Sequence, residues 1–114
     1  MKKIAVAVKD NGKKLEHFGI CEYFLIYKYD PDTHSIEYDN VIFSSKDHDK
    51  DHEEWEKSAD SIENCDILIC QQIGLCAKSE VENRNIKVIE ANGSTEDVLD
   101  NFVNKETKRD NIKL

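Results

Sequence analysis

The chain has 114 residues, 39% hydrophobic and 35% charged, with 24 acidic against 16 basic residues and a formal net charge of −8. That length fits one domain with a modest core, and the acidic balance repels a phosphate backbone, which argues against nucleic acid as a partner. No apolar run reaches the roughly 18 residues of a membrane span.

Met1-Lys2-Lys3 leads directly into a short strand pattern instead of a signal-peptide core, so a cytoplasmic location without membrane attachment is expected. The four cysteines, Cys21, Cys65, Cys70 and Cys76, are then expected to be reduced. Metal binding, reactivity or plain burial explains them better than a disulfide scaffold.

In chain order, Lys3 to Val8 alternates around Ile4, Val6 and Val8 with alanines between, and Asp10-Asn11-Gly12 supplies a turn. Tyr23 to Tyr29 and Ser35 to Phe43 are rich in aromatic and β-branched residues, and Asp30-Pro31-Asp32 marks a turn near the end of the first run. An antiparallel hairpin is predicted. From about Asp51 to Asn64, Trp55, Ala59 and Ile62 fall on one stripe of a charged helix.

The continuous apolar run Ile67-Leu68-Ile69-Cys70 reads as a strand buried on both faces. Gly74 opens a second helix to about Asn83, Ile86 to Ile89 forms the last strand, and Ser94-Thr95-Glu96-Asp97 resembles a capping box before a helix bearing Val98, Leu99, Phe102 and Val103. One domain is assigned to residues 1–104, and the charged tail 105–114 is expected to be flexible.

These elements predict an α/β fold: a five-stranded mixed sheet in the order 3-2-1-4-5, flanked by three helices, with strand four parallel to strand one. The connections of those two strands leave in opposite directions and open a crevice beyond their carboxyl ends. Two segments fall there, Glu16-His17-Phe18-Gly19 and Cys70-Gln71-Gln72-Ile73-Gly74-Leu75-Cys76.

A neutral imidazole ligates transition metals, which makes His17 a candidate metal and cofactor ligand against the alternative of a loop-bonded histidine. Cys70 ends a buried strand, and Cys76 sits in the first turn of a helix, where the dipole favours the thiolate that iron binds. Both are candidate metal ligands, although five intervening residues match no zinc or ferredoxin spacing and free cysteine is commonly buried. Cys21, four residues after His17, is a further cofactor-binding candidate, Cys65 reads as structural, and Gly74 with its helix amino terminus is suited to anionic groups.

His48 and His52 stand at i, i+4 within an acidic run, a spacing that clamps a divalent ion on a helix; a solvated acidic loop is the plainer reading. His34 is expected in an exposed hairpin turn.

Lys3-Ile4-Ala5-Val6-Ala7, Glu16-His17-Phe18-Gly19, Tyr23-Phe24-Leu25-Ile26-Tyr27 and Ile73-Gly74 together resemble the dinitrogenase iron-molybdenum cofactor biosynthesis family over nearly the whole chain. The resemblance implies a ribonuclease H-like fold. It also implies noncovalent binding of an iron-sulfur or molybdenum-containing cluster as cargo during cofactor assembly or delivery, without catalysis by the domain. The partners implied are the cluster and its donor and acceptor proteins, and a homodimer around the cluster is a further possibility. The chain departs from the family at Gln71-Gln72, where a second glycine often precedes Ile-Gly.

Two other readings compete. A zinc or nickel sensor would use His48, His52 and a cysteine. A ribonuclease H-like enzyme would use carboxylates such as Asp10 and Asp66 around paired metals. No Cys-x-x-Cys pair, Walker loop or Gly-x-Ser-x-Gly elbow supports another reaction class.

Overall fold

A computed structural model describes residues 2–43 and 59–112, with side chains described as far as residue 106. The strands are β1 (Lys2–Val8), β2 (Tyr23–Asp30), β3 (Ser35–Phe43), β4 (Ile67–Cys70) and β5 (Lys87–Glu90). They form one sheet in the order β3-β2-β1-β4-β5. The β1–β2 and β2–β3 pairs are antiparallel, and the β1–β4 and β4–β5 pairs are parallel. The helices are α1 (Leu75–Asn83) and α2 (Thr95–Ile112), preceded by helical residues 59–61.

Strand alternation divides the core in two. Ala5 and Ala7 of β1 face the same side as Leu68 and Cys70 of β4. There they pack with Phe18, Phe24, Ile26, Ala59, Ile62, Ala77 and Val81. The alanines leave room for the helices to approach the sheet. Ile4, Val6, Val8, Ile67 and Ile69 face the other side and meet Val98, Leu99 and Phe102 of α2. Tyr29 closes that layer edge-on to Phe102, with ring centroids 5.2 Å apart.

Local chemistry fixes the ends of these elements. The Asp97 amide donates to Ser94 Oγ at 3.1 Å, the N-terminal cap that the Ser94-to-Asp97 pattern predicts. The buried Thr95 hydroxyl donates to the Gly12 carbonyl at 2.8 Å, tying α2 to the turn after β1. At the hairpin, the Asp32 amide donates to Asp30 Oδ1 at 2.9 Å.

Helix α2 itself continues to Ile112, through most of the charged tail assigned to 105–114. The tail is charged, but it is rich in helix-forming Lys, Glu and Arg, and the helix is already anchored by Phe102. Two expectations change. His34 is half-buried instead of exposed, with its Nδ1 and the Tyr29 hydroxyl 2.9 Å apart. The last strand is Lys87–Glu90, one residue later than read. Ala59 and Ile62 are buried as the helical stripe requires, whereas Trp55, His48 and His52 lie outside the described residues.

Candidate functional site

Beyond the carboxyl ends of β1 and β4, the two loops are stitched together by their backbones. The Glu16 amide donates to the Ala7 carbonyl at 2.9 Å, the Gln71 amide to the Glu16 carbonyl at 3.0 Å, and the Phe18 amide to the Gln72 carbonyl at 2.8 Å. These bonds extend the β1–β4 contact past the end of the sheet. Phe18 is wholly buried against Phe24, with ring centroids 5.9 Å apart, and pins the loop from below.

Residues 17–21 then turn tightly, since the amides of Ile20 and Cys21 both donate to the His17 carbonyl. The turn leaves His17 half-buried and drives Cys21 inward, where its thiol donates to the Phe18 carbonyl at 3.3 Å. His17, Phe18, Gly19, Gly74, Leu75, Cys76 and Ala77 line one open cleft of about 370 Å³. The Gly19 amide donates to His17 Nδ1 at 2.9 Å, and the His17 amide donates to Glu16 Oε1 at 3.0 Å.

The other wall is the start of α1. Gly74 is its extended N-cap residue, without a side-chain cap bond, and the first turn carries no acidic residue. The first intrahelical bond runs from the Lys78 amide to the Gly74 carbonyl at 2.9 Å. The amides of residues 75–77 therefore precede the helical ladder, as the opening donors of every helix do, and give this wall positive character.

The cysteines separate sharply. Cys76 is exposed on the cleft, while Cys21, Cys65 and Cys70 are buried. Burial pushes the Cys70 thiol up to about 12, with Glu90 and Cys21 adding in the same direction and Lys78 opposing. Burial likewise raises Cys65 to about 11. The structure thus brings together His17, Gly74 and Cys76. It places Cys21 and Cys70 in the core under them, where neither side chain lines the cleft.

Among the described residues, no group of three or more His, Cys, Asp or Glu side chains is placed to hold a metal ion. Asp10 and Asp66 do not converge. Asp66 Oδ2 accepts from the Lys3 amide at the start of β1, while Asp10 follows the end of that strand. Most of the length of β1 separates them, roughly 15–20 Å at about 3.3 Å per residue.

A larger groove of about 590 Å³ on the opposite face is lined by Leu25, Tyr27, Ile36, Thr95 and Leu99 among others, and includes no His or Cys. The smaller cleft is preferred because it gathers the ligating chemistry.

The family model described as dinitrogenase iron-molybdenum cofactor matches residues 1–105. The chain belongs to this family. Its match to the FeMo cofactor biosynthesis protein NifB of Frankia alni is 26% identical over 91 residues, 76% of this chain. The chain spans only 18% of the length of that curated relative.

Two solved structures share the fold of this family member. The orange protein of Desulfovibrio gigas superposes with a TM-score of 0.69 at 19% identity, covering 93% of this chain and 90% of that one. The protein MJ0327 of Methanocaldococcus jannaschii gives 0.63 at 24% identity, covering 92% and 90%. The dinitrogenase iron-molybdenum cofactor family is thus reached both from residues such as His17-Phe18-Gly19 and from the match over residues 1–105.

Two features escaped the sequence reading. Leu75, which lines the cleft, is exposed at 85%, and Ile20, next in the chain to Gly19, at 54%. Gly19 serves as a seat for the His17 ring, a role that the His-Phe-Gly motif itself signals.

Proposed function

We propose that this chain binds a metal–sulfur cluster, of iron-sulfur or iron-molybdenum type, as noncatalytic cargo and passes it between assembly proteins. The observation that carries the reading is the backbone pairing of Phe18 with Gln72 and of Gln71 with Glu16, which joins the two loops so that His17 and Cys76 line one cleft. Family membership and the weak likeness to NifB support a role in cofactor assembly.

The cleft suits a cargo. It is open and mostly apolar, and its walls offer an imidazole, one thiol and the amino end of α1. A carrier must release what it holds, and a few contacts to a preformed cluster serve that better than a closed four-cysteine cage. Gln71 and Gln72, in place of the family's second glycine, do not block this arrangement, because both contribute through their backbones and their side chains are exposed.

The test is anaerobic reconstitution of the purified chain with iron and sulfide, with and without molybdate, followed by gel filtration and analysis of metal and sulfide. Co-elution of both, reduced by His17→Ala or Cys76→Ser, is the expected result. Retention of a divalent metal without sulfide, abolished by replacing His48 and His52, would establish the sensor reading instead.

A further inference from the structure

The hydrogen bond that seats His17 has only one possible direction. A backbone amide donates and never accepts, and the Gly19 amide lies 2.9 Å from Nδ1. Nδ1 therefore presents its lone pair to Gly19, and in the neutral ring the single proton resides on Nε2.

Gly19 is fitted to this contact by space. A Cβ at that position would stand 3.2 Å from both Cε1 and Nδ1 of His17, a separation tighter than side chains normally tolerate, whereas the backbone φ is not in the left-handed region. The missing side chain lets the ring settle over its own turn.

We propose that His17 meets its cargo as a hydrogen-bond donor through Nε2–H, so that the cleft selects the anionic sulfide or oxo face of a cluster over a bare divalent cation. This rests on the cluster-cargo reading and specifies its chemistry. Coordination of a metal through Nε2 requires the lone pair on that atom and moves the proton to Nδ1. Two N–H groups would then face each other where one hydrogen bond now stands, which sacrifices that bond and leaves the Gly19 donor opposed.

The facing wall favours the same class of ligand. The opening amides of α1 are donors, the helix dipole presents its positive end, and the first turn has no acidic residue. Glu16 is the nearby carboxylate acting in the other direction, and its Oε1 accepts from the amide of His17 itself. His17 and the amino end of α1 line the same cleft, so a donor on Nε2 and the opening amides of α1 would both suit acceptor atoms at the surface of a thiometallate or oxometallate anion.

The experiment uses the full chain labelled with nitrogen-15. A long-range proton–nitrogen correlation spectrum at pH 8, with the His17 signals assigned by their loss in His17→Gln, is expected to show the Nε2–H tautomer. Gly19→Ala is expected to erase that preference. A dominant Nδ1–H tautomer in the parent protein would overturn the proposal.

Binding is then read with two probes, tetrathiomolybdate and cobalt(II). His17→Ala is expected to weaken tetrathiomolybdate binding roughly ten- to hundredfold, the loss of a hydrogen bond to a charged acceptor. His17→Gln, which keeps an outward N–H, should stay within a few-fold of the parent. Cobalt affinity should not depend on His17. If His17→Ala removes cobalt binding while tetrathiomolybdate affinity is unchanged, His17 is a metal ligand and the donor role is wrong. If reconstitution yields a cluster complex equally well with His17→Ala, the donor role fails while the cargo reading stands. If the tautomer is as expected but the parent retains neither cluster nor tetrathiomolybdate, the cargo reading fails, and the donor role with it.

Discussion

The Phe18 amide donates to the Gln72 carbonyl at 2.8 Å, joining two residues 54 positions apart at the mouth of the cleft. This bond and the buried Phe18 ring hold the His17 turn against the start of α1, so the stability of the core and the geometry of the site are linked through one residue.

Phe18→Ala should therefore damage both. Emptying a wholly buried phenyl position costs about 3–5 kcal/mol, and urea unfolding followed by circular dichroism measures it. Phe18→Leu should recover much of the loss. An unchanged midpoint in the alanine variant would show that the ring is not an anchor.

Thiol labelling should divide the cysteines as the structure does. With iodoacetamide under native, anaerobic conditions, Cys76 is expected to be modified first, while Cys21, Cys65 and Cys70 react only on unfolding. Peptide mass analysis reads the sites directly. Cys76→Ser should leave stability within about 0.5 kcal/mol, as exposed substitutions do, and equal labelling of Cys70 in the native protein would contradict its burial.

Alkaline pH should destabilise the fold through the buried thiols. Cys70 rises from the ordinary 9.0 to about 12, and Cys65 from 9.0 to about 11. The unfolded chain releases these protons near pH 9 and the folded chain releases them later. Their contribution is thus fully present below pH 9 and is lost as pH climbs toward those folded values. The slope approaches roughly 1.4 kcal/mol per pH unit for each thiol that is charged only in the unfolded chain. Unfolding curves between pH 8.5 and 10.5 test the sign, and Cys70→Ala should flatten the dependence.

Removing the α2 cap isolates a local contribution. Ser94→Ala deletes the acceptor of the Asp97 amide and should cost about 1 kcal/mol, with Ser94→Asp restoring most of it. Thermal unfolding of the three proteins checks the order, which would be scrambled if the cap were incidental.

Much of the architecture was legible because its causes are local. Alternation in Lys3 to Val8, the Asp30-Pro31-Asp32 turn and the Ser94-to-Asp97 cap each specify backbone conformation within a few residues, and the order of elements constrains the sheet to 3-2-1-4-5. The convergence of Glu16–Gly19 with Cys70–Cys76 follows from that topology, since parallel β1 and β4 end side by side.

The exposure of each candidate was decided by the tertiary structure alone. Cys70 lies on the side of β4 that Leu68 shares, under the helical layer, and the turn after His17 rotates Cys21 into the same layer. Cys76 escapes because α1 buries Ala77 and Val81 and leaves the preceding position outward. Sequence spacing carries no record of what packs above a strand or of which face a helix buries. For the same reason His17 was readable as a candidate from its motif, while the seating of its ring against the Gly19 amide emerged only from the fold.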